Sequence, residues 1–222
     1  MSILVYSISG APRPWRVLLG LAFKGLPHEI RLLEASSREH KSEPFLSLNP
    51  RGTVPVLVDG ETVIRDSIGA LAWLDRAYPD HPLFGENPDD AARIWQRTTE
   101  FCDYLRDTCN GVLTPIFFQG ARTVTPDLQE AADALRSEFS LIENMLADAD
   151  FLSGAKPGAA DAAAFPEVRL VQRAVETHPG VTSALGLAAL SQDYPRLVTW
   201  KSRIETLANV AETFPPHWKE AA

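Results

Sequence analysis

The chain has 222 residues, room for one large or two small domains, and 45% hydrophobic residues exclude a disordered polymer. A formal net charge of −8 repels phosphate backbones and argues against nucleic acid as a partner. The opening Met1-Ser2-Ile3-Leu4-Val5 has no basic stretch and no small-residue cleavage site, and no uncharged apolar run is long enough for a bilayer, so the expected compartment is the cytoplasm.

In chain order, residues 3–8 read as a buried strand, and Gly10-Ala11-Pro12-Arg13-Pro14 as a turn. Pro14 suits a helix's first turn, where its missing N–H is not needed. Residues 15–24 are apolar nearly all round, as a helix pressed on a sheet should be, and Gly25 ends them. Residues 28–33 form a second strand, completing a βαβ unit whose strands should be parallel. Residues 40–48 are a short helix or irregular stretch. Strands at 54–58 and 62–64 join across Asp59-Gly60, a strong hairpin signal. A helix at 66–78 stops at Pro79.

Residues 79–88 are turn-rich, with three prolines, and are expected to link two domains. Beyond them only helices are predicted: 89–111, extended past Pro115 by 114–118; 125–147, with Leu128, Ala132, Leu135, Phe139, Ile142 and Leu146 on one face; 159–176; and 194–207. Cys102 and Cys109, seven apart on the first of these, sit two turns from each other, too far for a disulfide and not at a metal-site spacing. No metal is expected. The predicted organisation is a small α/β domain at 1–78, a linker at 79–88 and an all-helical domain at 89–222.

Four blocks in this order resemble the cytosolic glutathione transferase superfamily over nearly the whole chain, with a phi- or zeta-like bacterial flavour. They are the run from His40 to Leu57 containing Asn49-Pro50-Arg51-Gly52-Thr53-Val54-Pro55, the pair Asp66-Ser67, the segment Phe151-Leu152-Ser153-Gly154 followed by Ala160-Asp161, and Tyr194-Pro195 with Trp200. The resemblance implies a thioredoxin-like α/β N-terminal domain, an all-α C-terminal domain, glutathione as co-substrate and a homodimer. The dimer would be built on the helix from Asp66 and the start of the helix after the linker, Arg76 and Trp95 included.

For glutathione the resemblance implies three groups of contacts. Asp66 would pair with the ligand's ammonium, while Ser67 and the N–H groups of the helix start take the γ-glutamyl carboxylate. Thr53, Val54 and Pro55 would form the cis-proline corner that pairs with the cysteinyl main chain. His40 and Lys41 would hold the glycyl carboxylate. The expected electrophile pocket is the cleft between the domains, drawing on Phe101, Tyr104, Leu105, Thr108, Phe117 and Phe118.

The thiol-activating position departs from the family pattern. Counting back five residues from Arg16-Val17 lands on Ala11, where the superfamily places Ser or Cys, and the position used by tyrosine classes is Ser7. Tyr6 should point to the other side of its strand. A thiol of pKa ~8.5 is only about 3% ionised at pH 7, and lowering that pKa by about 2 units takes ~2.7 kcal/mol. A helix N-terminus supplies ~0.3–1 kcal/mol, at best ~2, and a hydrogen bond to a charged group ~1.5–3. Helix plus hydroxyl is sufficient; helix alone is marginal. The substitutes are Ser9, Arg13 and the N–H groups of the turn. The expected activity is attack of bound glutathione thiolate on small hydrophobic electrophiles, by conjugation, reduction or isomerisation. The alternatives are a glutathione-binding scaffold that has lost catalysis, favoured by Ala11, and a maleylacetoacetate-isomerase-like enzyme. The run Trp15-Arg16-Val17 with Lys24-Gly25 resembles the latter, without its Ser-Ser-Cys signature.

Overall fold

The structure is a computed structural model that describes residues 2–219. Its elements are β1 (Ile3–Ser7), α1 (Pro12–Lys24), β2 (His28–Leu32), a 3₁₀ turn (Glu39–Lys41), α2 (Glu43–Leu48), β3 (Val56–Asp59), β4 (Thr62–Ile64) and α3 (Ser67–Ala77). Among the described residues that follow, the named elements are helical: α4 (Pro88–Glu100), a π-helical turn (Phe101–Leu105), α5 (Arg106–Phe117), α6 (Pro126–Met145), α7 (Ala159–Thr177), α8 (Pro179–Ala184), α9 (Leu190–Asp193), α10 (Pro195–Glu205), a second 3₁₀ turn (Val210–Thr213) and α11 (Pro216–Lys219), with an isolated bridge between Phe151 and Gly154.

The chain forms two compact units, one running to Glu86 and rejoined by the segment from Thr206, the other spanning Asn87–Glu205. The first unit thus takes in residues 79–86, expected as linker, and the segment from Thr206, expected in the helical domain. The stretch read as a linker is anchored in the first unit. Leu83 and Phe84 are buried, and their N–H groups donate to Asp75 Oδ1 at 2.6 and 3.3 Å. Lys24 Nζ, buried at the end of α1, donates to the carbonyls of Asp80 and His81 at 2.8 and 2.9 Å. Burial lowers the Lys24 pKa, and the carboxylates of Asp75 and Asp80 work against that. At the other boundary the segment from Thr206 packs on α1 instead of closing the helical unit.

The first unit is built on a four-stranded sheet of order β2-β1-β3-β4. β1 and β2 are parallel, as a βαβ connection requires, and β3 is antiparallel to β1 and β4. Ile3, Val5 and Ser7 of β1 are buried, while Tyr6 on the opposite face meets Phe45 of α2 edge-to-face at 5.7 Å. That face gathers Leu33, Phe45 and Val56, with Ile8, Val54 and Val63 around them. α1 is buried along most of its length and packs on α3.

In the helical unit the predicted face of α6 is the buried one: Leu128, Ala132, Leu135, Phe139, Ile142 and Leu146 are each at most 6% exposed. At about 1.5–3 kcal/mol per buried large side chain, this stripe is a principal source of the unit's stability. Asp161, fully buried near the start of α7, ties three segments together. Its carboxylate accepts from the N–H groups of Leu152 (2.7 Å), Ser153 and Gly158 (3.0 Å each) and from Trp200 Nε1 of α10 (2.7 Å). Burial pushes the Asp161 carboxyl above its usual range, and these four donors pull against that push. Cys109 is a buried thiol whose pKa burial pushes well up. Among the described residues no helix is long and apolar enough to cross a membrane, and no group of three His, Cys, Asp or Glu side chains could hold a metal ion.

Candidate functional site

Three groups of predicted residues fall on the first unit. Asp66 is the N-cap of α3, where Oδ1 accepts from the N–H groups of Ile68 (2.9 Å) and Gly69 (2.8 Å). Oδ2 takes no hydrogen bond from the described residues and belongs to an exposed side chain. Ser67 occupies the first helical position and is buried. This is a helix N-terminus carrying a carboxylate with a spare oxygen and an adjacent hydroxyl, chemistry that suits a ligand bearing both an ammonium and a carboxylate.

The β3–β4 register, Leu57↔Ile64 and Val58↔Val63, brings residues 54–55 to the same end of the hairpin as Asp66. The Val54–Pro55 peptide is cis, as the resemblance implies. The loop ahead of it is set by Asn49, a residue the sequence reading passed over. Asn49 is 1% exposed. Its amide donates to the Thr53 carbonyl at 2.7 Å and to Thr53 Oγ1 at 3.2 Å, while its Oδ1 accepts from the Arg51 N–H at 3.2 Å. The signal was the short polar side chain in Asn-Pro-Arg-Gly, a type that bonds its own loop.

Gly52 brings His40 and Lys41 to this corner. It has φ +57, and a Cβ there would lie 2.8 Å from the His40 carbonyl oxygen and 2.8 Å from Lys41 Cδ. Lys41 Nζ donates to the Arg51 carbonyl at 3.1 Å. His40 Nδ1 is buried with no hydrogen-bond partner. An orphaned buried polar atom costs about 1–3 kcal/mol, and a ligand at this corner could complete it.

Ala11 is the N-cap of α1 and has no side chain to cap with; its N–H is spent on the Ile8 carbonyl at 3.0 Å. Of the first three helical positions, Pro12 and Pro14 have no N–H, so Arg13 has the one main-chain donor there. The Arg13 side chain is exposed. Ser9, two residues before Ala11, has its hydroxyl 2.7 Å from His217 Nδ1. A cavity of about 160 Å³ adjoins this turn, walled by residues 7–11, Trp15, Ile30, Leu32 and the segment from Glu212 to Pro216. Sequence reasoning missed that last wall: 212–218 carries Phe214, His217 and Trp218, more aromatic surface than a solvated tail needs.

The candidate electrophile residues all lie in the helical unit and differ in exposure. Phe101 and Leu105 are buried, whereas Tyr104 is 65% and Phe118 84% exposed. Thr108 Oγ1 donates to the Leu105 carbonyl, and Phe117 meets His178 edge-to-face. Phe101, Tyr104 and Leu105 share the π-helical turn, a widened turn that recurs at functional sites. A hollow of about 850 Å³ elsewhere in this unit is lined by Arg93, Arg97, Arg196 and Arg203. Each guanidinium already has a partner there: Asp90, the Leu152 carbonyl, Glu143 and Asp150 respectively. Its charge is spent on structure.

A sheet of this order with a cis X–Pro bond before β3, an acidic residue and a serine opening α3, and a separate all-helical unit together define the glutathione transferase architecture. The family models for the glutathione S-transferase N-terminal and C-terminal domains match residues 11–77 and 125–200. Glutathione S-transferase 1 of Dianthus caryophyllus is 29% identical over 167 residues, covering 74% of this chain and 75% of that protein. Human glutathione S-transferase theta-1 is 29% identical over 204 residues, covering 87% and 78%. The crystal structure of a glutathione S-transferase from the Antarctic clam Laternula elliptica superposes with a TM-score of 0.84 at 29% identity, covering 99% of this chain and 95% of that one. The chain belongs to the glutathione S-transferase superfamily and is a glutathione S-transferase-like enzyme.

Proposed function

We propose that the protein binds glutathione on its first unit and transfers the tripeptide's thiolate to small apolar electrophiles. The observation that carries this reading is the α3 N-terminus, where Asp66 keeps one carboxylate oxygen spare beside the buried Ser67, at the hairpin end that also holds Val54 and Pro55. In this reading Asp66 pairs with the γ-glutamyl ammonium, and Ser67 with the helix N–H groups takes its carboxylate. The main chain of Thr53 and Val54 pairs with the cysteinyl unit, and His40 and Lys41 take the glycyl carboxylate. The sulfur then lies at the turn around Ala11, within reach of Ser9 or Arg13. Phe101, Tyr104, Leu105, Thr108, Phe117 and Phe118 remain the candidates for contact with the electrophile.

Ala11 favours a second reading, a glutathione-binding protein without turnover. Calorimetric titration with glutathione, run beside conjugation assays on an aryl halide and several other electrophiles, separates the two. Saturable binding with turnover supports the transferase. Binding without turnover on every electrophile supports the scaffold, and no binding overturns both.

The same reading carries a homodimer through α3 and α4, with Arg76 and Trp95 on the contacting surfaces. Sedimentation at micromolar concentration is expected to give twice the 24.4 kDa of the chain; a lone monomer would contradict it.

A further inference from the structure

We infer that Ser9 and His217 form a proton relay that ionises the bound thiol and replaces the hydroxyl that Ala11 lacks. This rests on the glutathione reading above, which puts the sulfur at the β1–α1 turn. The observation is a 2.7 Å contact between Ser9 Oγ and His217 Nδ1, made across 208 residues of sequence.

The pair is held from several sides. α11 seats His217 against Gly10, whose φ is +80 and where a Cβ would lie 3.2 Å from His217 Cε1. A side chain at position 10 would crowd the imidazole, which would have to give by a few tenths of an ångström, and the positive φ itself favours glycine at this turn. The tail is fixed next door. Trp15 Nε1 donates to Thr213 Oγ1 at 2.8 Å, and the Trp15 ring meets Phe214 and Trp218 edge-to-face at 5.1 and 5.3 Å. His217 is exposed, so its proton exchanges freely with water.

The titratable and charged groups on the packed elements are Glu212 of the second 3₁₀ turn, Arg13, Arg16 and Lys24 of α1, and His28, Glu29 and Arg31 of β2, the last paired with Glu39.

The chemistry balances without any other reactant. With the imidazole proton on Nε2, Nδ1 accepts the Ser9 hydroxyl hydrogen. As the S–H bond of glutathione breaks, its proton passes to Ser9 Oγ while the Ser9 proton passes to Nδ1. The electron pair stays on sulfur. The products are a thiolate accepting a bond from an intact serine hydroxyl, and an imidazolium one hydroxyl away. A charge-assisted hydrogen bond from the serine hydroxyl and the attraction between thiolate and imidazolium favour the ionised pair. Ser9 is thus the catalytic residue that touches sulfur, and His217 positions it and takes up its proton.

The test uses the full chain and the variants Ser9→Ala, His217→Ala and His217→Asn, with unfolding midpoints confirming that each is folded. The ultraviolet thiolate band of bound glutathione is followed against pH. All three variants are expected to raise the thiol's pKa by about 1 unit or more. Asparagine in place of His217 would still hold the Ser9 hydroxyl but could not take its proton, so a merely orienting role predicts that His217→Asn titrates as the unaltered protein does. That result, or an unmoved curve in all three, overturns the relay. Binding of S-methylglutathione, which has no thiol to ionise, should change by less than about threefold in every variant. If the unaltered protein binds neither glutathione nor S-methylglutathione, the glutathione reading itself falls, and the relay with it. Binding with an unmoved titration removes the relay alone.

Discussion

Asp161→Ala is expected to lower the stability of the protein by about 4 kcal/mol, the largest effect of any single substitution considered. The carboxylate satisfies three main-chain N–H groups and the Trp200 indole inside the helical unit. Alanine leaves all four donors buried without this acceptor, at about 1–3 kcal/mol each before relaxation or water entry. It also loosens the 151–158 segment from α7 and α10. Asp161→Asn is the informative control, because it keeps the volume but turns an amide NH2 toward N–H donors, and it should recover little. Thermal unfolding reads the result: for a chain of this length a loss of about 4 kcal/mol corresponds to a fall of about 10 °C in Tm. A fall below about 3 °C for the alanine variant would mean that water or local collapse replaces the acceptor.

The second large effect is on ligand affinity. Asp66→Ala removes both the proposed partner of the ligand's ammonium and the cap of α3, so it should weaken glutathione binding by about 10–100-fold and cost about 0.5–2 kcal/mol of stability. Asp66→Asn separates the two roles. Asparagine caps a helix as well as aspartate does, so stability should hold while the charge-dependent part of the affinity is lost. Ser67→Ala is expected to weaken binding by about 5–50-fold, with α3 intact. Calorimetry on the three variants gives the dissociation constants. Unchanged values in all of them would show that glutathione is held elsewhere.

How much of this the sequence discloses depends on the distance over which each contact acts. The βαβ pattern, the Asp-Gly hairpin and the α6 stripe are local periodicities, and the structure reproduces them to within a residue or two at most ends. The Asp66 N-cap and the departure at Ala11 were legible for the same reason, since each is a matter of spacing along one element. The unit boundaries were not. Leu83 and Phe84 sit among prolines that read as linker, and only the partners Lys24 and Asp75 on other elements reveal that this stretch is anchored. The Ser9–His217 pair lies beyond any such reading, because nothing near Ser9 in sequence points to a histidine in a four-residue helix. Short helices such as α8, α9 and α11 show too few residues for a period and went unread for that reason.

The return of the segment from Thr206 into the first unit makes that unit discontinuous, and synthesis therefore builds it in two instalments. The sheet and α1 leave the ribosome first, and Trp15 waits for Thr213, Phe214 and Trp218 while the whole helical unit is translated. At ~5–20 residues per second, the separation of 208 positions from Ser9 to His217 represents tens of seconds. For that interval Trp15 lacks the partners that bury it, and completion of the turn beside Ser9 waits until the segment from Thr206 has been added.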